Sequence, residues 1–192
     1  MRPTARRTST TVVSVVGTDA GAWVERLGEA ANVVPVRPEI DDPPLDRAVA
    51  AWAEAVRAHS PYLVHDADPL AAVADAWVRR FDEAGPIGEL EVAVSETLAR
   101  WRAGSIEMPD YYLVLDAESW TPTRRHWYLG VLHAAAPARV VPVPDPDAAA
   151  RMLPRLGAGA WWPDLDDLLG GIEQVVPDQV VPAPAGSSAR IA

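Results

Sequence analysis

The chain has 192 residues, about half of them apolar, which suits one domain with an ordinary hydrophobic core and rules out a disordered or coiled-coil chain. It contains no cysteine and no lysine, all 17 basic residues being arginine, which excludes disulfides, thiolate metal sites, cysteine nucleophiles, Schiff-base chemistry and a phosphate-cradling lysine. A net charge of −10 opposes binding along a phosphate backbone. The first apolar run, 12–16, is too short for a signal-peptide core or a membrane span, so the expectation is a cytoplasmic protein with no nucleic-acid or membrane partner.

Residues 1–10 form a polar leader holding Arg2, Arg6 and Arg7. The run 11–16 reads as a first strand, Gly17 to Gly21 as its turn, and 22–30 as a short helix with Trp23, Val24 and Leu27 inward. A second strand, 32–36, precedes a helix capped by Asp41 or Asp42, running to about 59 and carrying Leu45, Val49, Trp52 and Val56 at helical spacing. A third strand covers 61–64. The helix at 69–81 follows with Leu70, Val73, Trp77 and Phe81 in line, is broken at Gly85-Pro86, and a further helix spans 87–102. A fourth strand, 111–115, leads to Thr121-Pro122, a cap-and-proline helix start that runs to roughly 135. A fifth strand, 139–143, a helix opened by Asp145-Pro146, and a last helix, 165–175, complete the domain at 11–176; the Pro/Ala/Gly/Ser-rich tail from 177 is expected to be disordered.

Strands alternating with helices predict parallel strands and right-handed crossovers, hence a Rossmann-like three-layer α/β/α domain with a five-stranded sheet. Pro35 and Pro142 lie inside the second and fifth strands, and proline cannot donate to a sheet ladder, so those two strands belong at the edges. The order 2-1-3-4-5 satisfies this and places the switch point between strands one and three.

Two segments echo each other: Tyr62-Leu63-Val64-His65-Asp66-Ala67-Asp68 and Tyr112-Leu113-Val114-Leu115-Asp116-Ala117-Glu118. Each is a buried-strand run followed by acid, alanine, acid, at the strand end where open α/β sheets bind ligands. Asp66, Asp68, Asp116 and Glu118 are therefore candidate ligands for a hard cation, and Mg²⁺ is the cofactor such a cluster would recruit. Ordinary turn and helix-cap chemistry also accounts for them, because Asp68 precedes Pro69 and Thr121 precedes Pro122. Arg124 and Arg125 in the next helix are placed to neutralise Asp116 and Glu118. A Ser119-His65-Asp116 set lacks the G-x-S-x-G elbow that would support nucleophilic chemistry.

Gly17, Thr18, Asp19 and Gly21, between a strand and a helix, form a candidate anion-binding turn for a cofactor. Over Val16 to Gly21 the chain resembles the loop of P-loop NTPases. Ala22-Trp23-Val24 stands where that family has its Gly-Lys-Ser/Thr ending, so the resemblance implies a degenerate, non-hydrolysing relative. Asp66 at the end of strand three and Val143-Pro144-Asp145-Pro146 are similar to receiver domains, but the receiver's strand-five lysine is missing.

Eight tryptophans accompany one phenylalanine. Trp23, Trp52, Trp77 and Trp101 fall on inward stripes. Trp161 and Trp162 lie in a Gly-Ala-Gly approach outside any periodic element, and either form an aromatic contact patch or plug the last helix onto the sheet. The functional expectation is a non-catalytic regulatory or interaction module on a degenerate nucleotide-binding-like fold, meeting a protein partner or a second copy through Trp161 and Trp162. The alternative is a Mg²⁺-dependent enzyme acting on a phosphorylated small molecule through the acidic cluster.

Overall fold

The computed structural model describes residues 8–82 and 85–177. Arg2, Arg6, Arg7 and nearly all of the tail lie outside them. A five-stranded, all-parallel sheet is formed by β1 (Thr11–Val16), β2 (Val33–Val36), β3 (Tyr62–His65), β4 (Tyr111–Leu115) and β5 (Val140–Val143). Every residue of β1 is buried, as expected of a strand covered on both faces and both sides.

The strand order is β2-β3-β1-β4-β5 rather than 2-1-3-4-5. Both proline-bearing strands do sit at the edges, with Pro35 opposite Val64 and Pro142 opposite Val114. Proline marks an edge but leaves the order of the inner strands open. That order follows from the connection between β3 and β4, whose two helices, α3 (Ala71–Asp82) and α4 (Glu89–Arg102), carry the chain over β1.

Alternation along the strands divides the core. Val13, Val15, Leu113 and Leu115 face α1 (Ala20–Gly28) and α7 (Pro146–Met152), together with Val24, Leu27 and Ala149. Val16, Tyr112 and Val114 face the larger layer, where α3, α4, the helix after β4 and α8 (Leu165–Leu169) pack around Trp77, Trp101 and Trp127. Trp77 anchors that layer, its ring meeting Phe81 at 5.0 Å and Trp127 at 5.5 Å while its indole N–H donates to the Ile172 carbonyl at 3.3 Å.

Several elements differ from the periodicity reading. Helix α2 (Pro44–Arg57) buries Ala48, Ala51 and Ala55, while Trp52 is half-buried and Val56 is exposed. Ala55 packs with Val12 and Leu63, with Trp52 half-buried against them, while Ala48 joins the larger layer, on which Leu45 and Val49 also pack. Trp23 is likewise only half-buried. The helix expected over 122–135 is α-helical at α5 (Pro122–His126), π-helical over Trp127–Leu132 and α-helical again at α6 (His133–Ala135). The last helix stops at Leu169, followed by a 3-10 turn, Ile172–Gln174. Thr121 and Asp145 cap their helices as expected, accepting from the Arg124 and Ala148 N–H groups.

Candidate functional site

At the carboxyl edge the chain leaves β1 through Gly17, whose φ is +130°. A Cβ here would stand 2.7 Å from the Leu115 carbonyl oxygen and 3.2 Å from the Trp120 ring, so only glycine lets the turn lie against the end of β4. Asp19 takes a left-handed conformation, and its carbonyl accepts from the Ala22 and Trp23 N–H groups, closing the first turn of α1. Gly21 leaves room for the Arg37 guanidinium and for Asp66, both within 3.3 Å of where its Cβ would be.

Asp68 is the most constrained acid of the edge. It is buried and accepts from the Tyr112 hydroxyl at 2.7 Å, the Tyr128 hydroxyl at 2.7 Å and the Leu70 N–H at 2.8 Å. Burial pushes its carboxyl above the usual range, while the three donors pull the other way. Burial and the Asp68 charge together hold both tyrosines well above their ordinary value, so they stay protonated donors. Tyr128 belongs to the π-helical turn, which delivers it to this carboxylate.

Asp66 pairs with Arg47 of α2 at 2.9 Å, both side chains mostly buried. His65, buried beside them, accepts the Ala67 N–H at Nδ1. Burial first and the Arg47 charge second bring its pKa down to about 4, so the ring is neutral near pH 7. Asp75 is bound by Arg124.

The strand order separates the two echoed acid pairs. Asp66 and Asp68 follow β3, whereas Asp116 and Glu118 follow β4, with β1 and its turn between them. Asp116 and Glu118 are exposed, and Glu118 meets Arg125 only at 3.7 Å. Arg124 turns to Asp75 and not to either of them. Among the described residues no three His, Asp or Glu side chains are grouped to hold a metal ion. Ser119 donates to the Asp116 carbonyl, which is turn chemistry, and His65 is buried away from it.

A groove of about 560 Å³ runs over this edge, lined by Gly17, Asp19, Gly21, Arg37, Arg47 and Asp66 among others. Thr18 lies in an adjoining hollow of about 330 Å³ with Trp120 and Arg124. Gly17, Asp19 and Gly21 thus border the groove with Asp66 and Asp68, and Thr18 lies in the adjoining hollow. Arg37, Arg47, Asp75, Tyr112 and Tyr128 are the partners that sequence reasoning missed. Tyr112 stood in the echo itself, and the alternation of β4 was enough to separate its face from that of Tyr111.

A second cavity, about 360 Å³, opens at the opposite, amino edge of the sheet. Asp110, just before β4, accepts the Val12 N–H at one oxygen and the Gly159 N–H at the other, each at 2.8 Å, tying the loop 157–164 to the sheet. Burial raises its carboxyl above the usual range. Trp161 and Trp162 differ in exposure. Trp162 is half-buried, donates to the Pro109 carbonyl at 2.6 Å and meets Tyr112 edge-on; Trp161 stays 39 % exposed beneath the Arg139 guanidinium.

No protein-family profile, curated protein or solved structure matches the chain. Among the described residues, no helix is long and apolar enough to cross a membrane.

Proposed function

We propose that this chain is a non-catalytic regulatory or interaction module, a degenerate nucleotide-binding-like α/β domain that works by contact at the amino edge of its sheet. The observation that carries the reading is the contrast between the two sheet edges. At the carboxyl edge most charged groups pair among themselves: Asp68 accepts from two tyrosines, Asp75 holds Arg124, and Asp66 stands 2.9 Å from Arg47, with Asp66 Oδ1 and Arg47 Nε left without a hydrogen bond. At the amino edge an open, aromatic-walled cavity adjoins an exposed tryptophan, the residue type that dominates binding hot spots. Trp161 and Trp162 are the contact residues, and the partner is another protein or a regulatory ligand.

A thermal-shift series with Mg²⁺ and Mn²⁺, with and without nucleoside triphosphate, tests this reading. Ligands that bind the folded state raise its melting temperature. The expected result is a Tm unchanged to within about 1 °C at millimolar ion, on the footing that an unbound ligand adds nothing to folding. A saturable rise of several degrees would overturn the reading in favour of Mg²⁺-dependent chemistry on a phosphorylated small molecule at the carboxyl edge.

A further inference from the structure

Residues 157–162 run from the 3-10 turn Leu153–Arg155 towards α8 without regular structure, and all but Trp162 are exposed. Each hydrogen bond they make to described residues beyond the segment goes to three consecutive positions ahead of the β4 ladder. The Gly159 N–H donates to Asp110 Oδ1 at 2.8 Å, the Gly157 N–H to the Tyr111 hydroxyl at 3.4 Å, and the Trp162 indole N–H to the Pro109 carbonyl at 2.6 Å. Arg139, just before β5, adds a further anchor: its side chain donates to the Tyr111 hydroxyl and lies over the Trp161 ring, 3.5 Å from its centre. Within the segment the packing is self-contained. Trp161 turns back so that its indole N–H donates to the Gly157 carbonyl at 3.3 Å, and a Cβ on Gly159 would stand 2.6 Å from its ring. Only Trp162 enters the core, edge-on to Tyr112 with ring centres 5.7 Å apart.

Exposed backbone, little buried apolar surface and few bonds to the rest of the fold are the features of a segment that opens locally while the domain stays folded. We infer that residues 157–161 are a latched strap over the amino-edge cavity, held by Asp110 and Arg139 and fixed at Trp162, and that its release, with the sheet intact, uncovers the Trp161 ring and opens the cavity. Ala158, Gly159, Ala160 and Trp161 all belong to the lining of that cavity, so the strap and the wall are one piece. Asp110 is the latch because its other oxygen accepts the Val12 N–H at 2.8 Å, which joins the strap to the central strand β1. Arg139 occupies one face of the Trp161 ring, and a partner that stacks on that face takes its place. The device rests on the amino-edge reading for its purpose, but its motion is measurable with no partner present.

Native-state hydrogen exchange, followed by NMR on the full chain, is the test. The Gly159 amide should exchange through local opening, insensitive to low denaturant and about tenfold or more faster than the amides of the fully buried β1. Arg139→Gln leaves the Asp110 bonds in place. It should speed exchange of the Trp161 indole N–H several-fold and leave that of the buried Trp77 indole unchanged. Asp110→Asn should speed Gly159 by about tenfold relative to β1, the scale of one lost charge-assisted hydrogen bond. Gly159 exchange that follows β1 at every denaturant concentration would overturn the strap, as would an Arg139→Gln effect equal at the two indoles. Should Asp110→Asn fail to fold, the wild-type and Arg139→Gln measurements decide. None of these readings depends on the divalent-ion series above, so failure of the strap and failure of the module reading are told apart.

Discussion

At the scale of single residues, His65 has the most readable consequence. In the unfolded chain its imidazole protonates near pH 6.5; in the folded protein burial and Arg47 delay protonation to about pH 4. Between those values the unfolded state binds more protons, so stability falls as pH falls, by at most about 3 kcal/mol if the whole shift is realised. Asp68 and Asp110 act with the opposite sign, since their raised folded-state values favour the native state as pH falls. The difference in unfolding free energy between the wild type and His65→Gln isolates the histidine. It should shift steadily against the wild type from pH 6.5 to 4, and a flat difference would contradict the burial of a neutral ring. The residue types at this edge were visible in the sequence, but their partners were not. Asp68 meets Tyr112 and Tyr128 across 44 and 60 positions, contacts that only the strand order and the π-helical turn create.

At the scale of elements, what was legible depended on how local its cause is. The residues of β4 and the caps at Thr121 and Asp145 follow from neighbouring side chains, and the sequence reading matched them. The inward face of α2 followed in part: Leu45, Val49 and Trp52 pack half-buried against the core as expected, while the buried positions are Ala48, Ala51 and Ala55 and Val56 is exposed. The β1–α1 turn is the element whose geometry bears most directly on the carboxyl edge. Gly17→Ala would force a Cβ into Leu115 and hold a non-glycine residue at φ +130°, and should destabilise the protein by about 1–3 kcal/mol in urea unfolding. Gly157→Ala, with nothing within 4 Å of its Cβ, should stay within about 0.5 kcal/mol of wild type. Equal effects at the two sites would remove the argument that the turn is wedged against β4.

For the whole molecule, the sheet order sets which side chains share an edge. Alternating strands and helices announced the α/β class, and Pro35 and Pro142 identified the edges. The exchange of β1 and β3 was not legible, because it depends on a crossover long enough to pass over a strand. With β1 in the centre, the echoed acid pairs stand on either side of it and find separate partners, so the repeat marks two strand ends. The amino-edge cavity was legible only through Trp161 and Trp162: its other walls come from α2 and α4, with Trp52 more than 100 residues from that loop. The central proposal is that recognition belongs to this amino edge and that the acids of the carboxyl edge serve the fold. The most direct measurement is a ¹H–¹⁵N correlation spectrum of the full chain, titrated with Mg²⁺. The account predicts that Mg²⁺ leaves the amides of Gly17, Gly21, Asp66 and Asp68 in place. Saturable movement of the Gly17–Gly21 and Asp66–Asp68 amides would contradict it.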